Sequence, residues 1–192
     1  MSLTTGNAVE PLYSSIATGT QLATFTTEDN LQKTLKEVAL FPSLWSNMMA
    51  TGRGLRVKAM GRLGTTGTPT FTWSIRFLTS TTWSAAGVGF STAAITCGSG
   101  VTLAPWFLDI EITLRTLGAA GANSTIAVMG ELRGGTSLAA GGGVYSMPAA
   151  NTSFTSASFD CSINQYLFLS AACGTSSGSN LIQLEMLKVY GE

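Results

Sequence analysis

The sequence predicts an all-β protein, an antiparallel β-sandwich of jelly-roll topology with an extended N-terminal arm. Three observations carry this. Apolar and polar residues alternate in short runs, the runs are separated by Gly/Ser/Thr-rich turns, and no helical period of ten or more residues occurs. Many short strands without βα alternation select a sandwich over an α/β fold.

The chain opens on a segment of different character, residues 1–43, read as an arm and entry strand. Residues 44–192 are read as the sandwich domain. The first segment places Glu10, Glu28, Asp29 and Glu37 among Ser and Thr. Leu22, Thr24 and Thr26 alternate with Ala23, Phe25 and Thr27, the pattern of one extended strand. Leu31, Leu35 and Val38 fit a short amphipathic helix. The β-rich surroundings favour an extended piece.

From Leu55 the alternation is regular. Leu55, Val57, Ala59, Gly61 and Leu63 share one face, with Arg56, Lys58, Met60 and Arg62 on the other. The stretch Gly64 to Pro69 is a turn by composition. Phe71, Trp73, Ile75 and Phe77 form the apolar face of the next strand. Ser80 to Gly100 is looser, with a strand expected near Ala93–Cys97 and Gly87-Val88-Gly89-Phe90 read as loop. Trp106, Leu108, Ile110, Ile112 and Leu114 then face one way. Phe107, Asp109, Glu111, Thr113 and Arg115 face the other. Ile126, Val128 and Leu132 mark another strand, and Gly141 to Gly143 a loop. Runs at Phe154–Asp160, Tyr166–Ala172 and Leu181–Tyr190 complete the set.

Composition narrows the function. The 192 residues contain no histidine, and only 10% are charged. Ten basic and ten acidic residues cancel, which gives little steering toward nucleic acid or an anionic membrane. Weak self-repulsion suits a subunit that packs against copies of itself. No stretch approaches ~18 apolar residues, so no helical membrane span is expected. Met1 to Asn7 are polar and do not read as a secretory leader. Cys97, Cys161 and Cys173 lack metal-ligand spacing and are read as reduced, partly buried thiols, with a Cys161–Cys173 disulfide as the alternative.

Candidate chemistry is sparse. Gly174-Thr175-Ser176-Ser177-Gly178 matches the nucleophile-elbow pattern. Such an elbow requires a following helix and a histidine base, and the segment is read as a hairpin loop. Asp109 and Glu111 sit on one strand face about 7 Å apart, a spacing open to glycoside hydrolysis or Ca²⁺ binding. The basic stripe of Arg56, Lys58 and Arg62 makes cross-strand ion pairing the plainer expectation. Phe71, Trp73 and Phe77 are read as core, not as a sugar platform. Leu22, Phe25, Leu31, Leu35, Trp45 and Trp83 are the candidates for a partner interface. No cofactor, metal site or catalytic residue is expected.

A family resemblance rests on three stretches. Gly52-Arg53-Gly54-Leu55-Arg56-Val57-Lys58-Ala59-Met60-Gly61 is followed by Thr65-Thr66-Gly67-Thr68-Pro69-Thr70. Pro105-Trp106 then leads into the strand ending Arg115-Thr116-Leu117-Gly118. Together, over residues 20–192, these resemble small β-sandwich virion proteins of tailed bacteriophages. Phe41-Pro42-Ser43 stands where the family has an aliphatic-Pro-Ala turn. The resemblance implies a jelly-roll-like sandwich, a homotrimer, and a role as capsid decoration (cement) protein bound to the major capsid protein. The localisation it implies is the virion, after synthesis in the bacterial cytoplasm. It implies no catalytic residue, nucleic-acid partner or small-molecule substrate. A tail or fibre module binding a host receptor or glycan through Gly-rich loops is the alternative. A glycosidase using Asp109 and Glu111 is a third, weaker reading.

Overall fold

A computed structural model describes residues 10–15, 18–19, 21–32, 43–44, 52–118, 123–135, 138 and 143–191. Among these there is no helix beyond a single 3₁₀ position at Gln32. The strands are β1 (Glu10–Ser14), β2 (Leu22–Ala23), β3 (Asp29–Asn30), β4 (Ser43–Leu44), β5 (Gly54–Gly64), β6 (Thr70–Leu78) and β7 (Val88–Ser91). They continue with β8 (Ile95–Thr96), β9 (Ala104–Thr116), β10 (Ser124–Gly134), β11 (Gly143–Met147), β12 (Thr155–Phe159), β13 (Gln165–Cys173) and β14 (Leu181–Gly191).

These strands form two antiparallel sheets packed face to face. The larger has the order β1-β14-β5-β9-β10-β11, with β2 added on β14 and β12 on β10. The smaller has the order β3-β13-β6-β7, with β4 on β13 and β8 on β6. The period-2 pattern explains why the sheets meet. In β5 and β9 every second side chain is buried, and these are the apolar residues the alternation places inward. From the small sheet Phe71, Trp73, Ile75 and Phe77 oppose them, each no more than 2% exposed. Aromatic rings run through the core: Phe25 meets Phe71 at 6.2 Å, Phe71 meets Trp73 at 5.7 Å, and Trp73 meets Trp106 at 6.0 Å between centroids.

Gly61 is required by close packing. It stands opposite Trp106 in the β5–β9 register, and a Cβ there would collide with the Trp106 indole and the Gln183 carbonyl. The indole lies over the glycine and donates from Nε1 to the Arg62 carbonyl at 3.3 Å.

Two crossovers between the sheets lie side by side. The predicted turn after Gly64 carries the chain from β5 to β6, with Gly67 at φ 66°. The Gly174–Gly178 segment carries it from β13 to β14. It was expected as a hairpin loop, but β13 and β14 belong to different sheets, so it is a crossover. Buried Asn180 ties the two together. Its Oδ1 accepts from the Thr66 N–H at 2.8 Å, and its Nδ2 donates to the Thr175 carbonyl at 3.0 Å.

The first segment, residues 1–43, is described in part. Over its described residues it is part of the sandwich. β1 and β2 pair with β14, and β3 and β4 pair with β13. The expected strand over 22–27 stops after Ala23, because Thr24 takes φ 59°. Further on, Gln32 extends the small sheet with its side chain. Its Oε1 accepts from the Leu169 N–H at 2.7 Å, and its Nε2 donates to the Leu167 carbonyl at 3.2 Å. Glu28 reaches the outer side of the small sheet and grips Arg76 with both carboxylate oxygens, at 2.9 and 2.5 Å.

Two further elements escape the sequence reading. Gly87-Val88-Gly89-Phe90 is not a loop: residues 88–91 form β7, paired with β6 from Ser74 to Phe77. Two glycines in four residues conceal its alternation. β11 follows the Gly-rich stretch unannounced. The strand near Ala93–Cys97 is present but short, as β8. The disulfide alternative is excluded: Cys97, Cys161 and Cys173 are free and buried.

Candidate interaction face

The outward face of the large sheet collects the polar halves of the alternating strands. Its rows follow from the register. Lys188, Lys58, Asp109, Glu131 and Ser146 are successive cross-strand neighbours. One row along, Met186, Met60, Phe107, Arg133 and Val144 are neighbours in the same way. On the other side run Tyr190, Arg56, Glu111 and Met129.

The face is therefore striped. Phe107, Met129 and Val144 are 47%, 61% and 64% exposed, so large apolar side chains stand in solvent beside charges. Between the apolar and charged rows lies a shallow groove of about 400 Å³ lined by Met60, Met186, Phe107, Lys58, Glu131 and Arg133 among others.

The predicted charge pairing is present for Arg56, Lys58 and Asp109, while Arg62 takes another partner and Glu111 takes none among the described residues. Arg56 donates to Asp109 from Nε at 2.9 Å and from a terminal nitrogen at 2.8 Å. Lys58 adds a longer contact to the same carboxylate at 3.7 Å. Arg62 pairs with Glu185 at 3.3 Å, not with Asp109 or Glu111. The reason is register: Arg62 faces Pro105 and Gln183, two rows from Asp109. A bulge between Leu184 and Met186 accompanies Glu185. Glu111 has no ion pair with any described residue, and Arg133 pairs with Glu131.

This arrangement bears on the hydrolytic reading. The hydrogen bonds from Arg56 hold the Asp109 carboxyl below the usual carboxylate range, outweighing the opposing effect of its partial burial. A general acid needs the opposite shift. Asp109 is held ionised by Arg56 and does not suit the acid half of a hydrolytic pair.

The six interface candidates fare differently. Leu31 is fully buried and Phe25 is 9% exposed, so both belong to the chain's own core. They are not surface residues, because the segment carrying them is folded onto the sandwich. Leu22 is half-buried and packs against the core edge. Trp83 is half-buried and lies against Phe168, with ring centroids 5.6 Å apart. It covers the outward side of the small sheet. Leu35 and Trp45 lie outside the described residues.

Phe107, Met129 and Val144 were not singled out from sequence as interface residues. A signal existed for Phe107, a bulky aromatic on the charged side of a strand that has its own apolar side. The importance of Met129 and Val144 follows only from their cross-strand neighbours.

No protein-family model matches the chain, and no curated protein matches it. Among solved structures it is similar to the CBM2 module of Lactobacillus casei BL23 phage J-1 evolved Dit. That similarity covers 95% of each chain with a TM-score of 0.32 and 11% identity. A likeness of this degree carries no functional argument.

Proposed function

We propose that this chain is a structural protein of a tailed-phage virion that works by packing and transforms no substrate. Its first role would be homotrimeric capsid decoration, binding across major capsid subunits. The observation that carries the packing reading is the outward face of the large sheet, where Phe107, Met129 and Val144 stand exposed beside charged side chains. Apolar anchors in a polar surround are the makeup of a protein interface. The motifs at Gly52–Gly61 and Pro105–Gly118 support the virion assignment, since they resemble that family.

The integration of the first segment alters how such a protein would hold its neighbours. Residues of β1, β2 and β3 are paired within the sandwich, and the exposed sheet face is the surface that offers contacts between subunits. Many copies, each with modest contacts, would bind a shell by avidity.

A tail module binding a host glycan is the second reading. The groove beside Phe107 favours it, since an aromatic ring flanked by Glu131 and Arg133 offers stacking and hydrogen bonds together. Copy number in purified particles separates the two. Hundreds of copies spread over the shell support decoration, and a few dozen at the tail support the second reading. Absence from particles ends both.

A further inference from the structure

We infer that the outward face of the large sheet is self-complementary and binds a second copy of this chain through a two-fold contact. The inference rests on reading the protein as an assembly subunit, and the two-fold contact it specifies is distinct from the three-fold contact of a homotrimer, joining one such unit to another.

The argument starts from strand order. In the path β1-β14-β5-β9-β10-β11 the midpoint falls between β5 and β9. A two-fold axis running there, parallel to the strands, lays β5 over the partner's β9 and β14 over the partner's β10. Rows are preserved because the axis follows the strand direction. Each residue then meets the one at the mirrored strand of its own row.

Charge follows this exchange. Lys58 and Lys188 lie on the β14–β5 half of their row, and Asp109 and Glu131 on the β9–β10 half. Lys188 of one copy therefore meets Glu131 of the other. In the next row Arg56 meets Glu111. Lys188 and Glu111 make no ion pair with any described residue of their own chain, so each brings its charge to a partner that also holds a pair within its chain, Glu131 with Arg133 and Arg56 with Asp109. The apolar row behaves likewise: Met60 meets Phe107, a flexible thioether side chain against an exposed aromatic ring. Arg133 and Glu185 run against the polarity of their halves, and each is already engaged, by Glu131 and Arg62.

The size is adequate. Four strands of 11 to 13 residues and two of five, at ~4.8 Å spacing and ~3.4 Å rise, offer roughly 900 Å². A stable interface takes about that area from each partner. Aligned packing of two twisted sheets is an established geometry, and an isologous contact is the commonest way for identical chains to associate.

Charge reversal tests this directly. Lys188 and Glu131 sit three strands apart within one chain, roughly 14 Å, and meet only across the axis. In sedimentation-velocity dilution series, Lys188→Glu and Glu131→Lys should each weaken self-association at least tenfold. The double variant should recover most of the loss. Phe107→Ser should also weaken association, with its melting temperature confirming the fold. A wild-type chain that stays monomeric, or an oligomer indifferent to the single reversals, overturns the inference. So does a double variant as weak as the singles. None of these outcomes depends on where the protein sits in a particle, so the virion reading stands or falls separately.

Discussion

Arg56 grips Asp109 through two hydrogen bonds of 2.9 and 2.8 Å, although the residue directly opposite it in the β5–β9 register is Glu111. The guanidinium reaches diagonally along β9 to the carboxylate that Lys58 faces. One acid thus serves two cations, and Glu111 is left for another partner. Both side chains are more than a third exposed, which limits what the pair contributes.

Asp109→Asn should therefore lower folding stability by only about 1 kcal/mol or less. Its folded-state pKa is depressed, so the contribution is present above the unfolded value near ~3.9 and is lost as pH falls through the folded one. Urea unfolding of both proteins at pH 7 and pH 3 should show the difference shrinking at the lower pH. A loss of several kcal/mol at pH 7 would mean the pair is far better shielded than its exposure indicates.

The Glu28–Arg76 pair is a stronger case. Burial raises the Glu28 carboxyl, but hydrogen bonds from Arg76 and Ser170 outweigh it, and the net shift is downward. The two side chains are only 15% and 20% exposed. Glu28→Gln should cost roughly 2–3 kcal/mol at pH 7, as expected for a charged hydrogen-bond network broken on one side. This stability is present above the unfolded glutamate pKa, ~4.3, and fades as pH falls through the depressed folded value. The variant should show a flatter stability profile below about pH 5. An unchanged profile would remove Glu28 as a source of acid sensitivity.

Two core tryptophans should respond differently to the same substitution. The Trp106 indole donates to the Arg62 carbonyl, whereas the buried Trp73 Nε1 has no hydrogen-bond partner among the described residues. Both Trp→Phe changes leave a cavity. Trp106→Phe also strands an acceptor, so it should be the more costly by about 1 kcal/mol. Equal losses by denaturant unfolding would argue that the Trp106 bond contributes nothing.

The thiols should be inert in the folded protein. Burial pushes the Cys97 thiol up to about 12, helped by nearby Cys173, and burial also raises Cys173. Cys161 is buried and lies 3.0 Å from the Ser124 hydroxyl. The thiolate is the reactive form. A thiol reagent at pH 8 should label almost no cysteine natively and all three in denaturant. Fast native labelling would show that one of these sites opens readily.

The alternation of Leu55–Leu63, Phe71–Phe77 and Trp106–Leu114 determined, by itself, the all-β class, the inward face of each long strand and most of the aromatic core. Period-2 patterning is local: it states which side of a strand is apolar without reference to any other strand. What lies beside each strand is a nonlocal fact, and only the tertiary structure decided it. That is why Phe25 and Leu31, surface candidates by sequence, turn out to be core: the partners that bury them lie far along the chain. For the same reason Arg62 found Glu185 and Arg56 found Asp109. The striped face arises in the same way, since Met60, Phe107 and Val144 become neighbours only when β5, β9, β10 and β11 align in register.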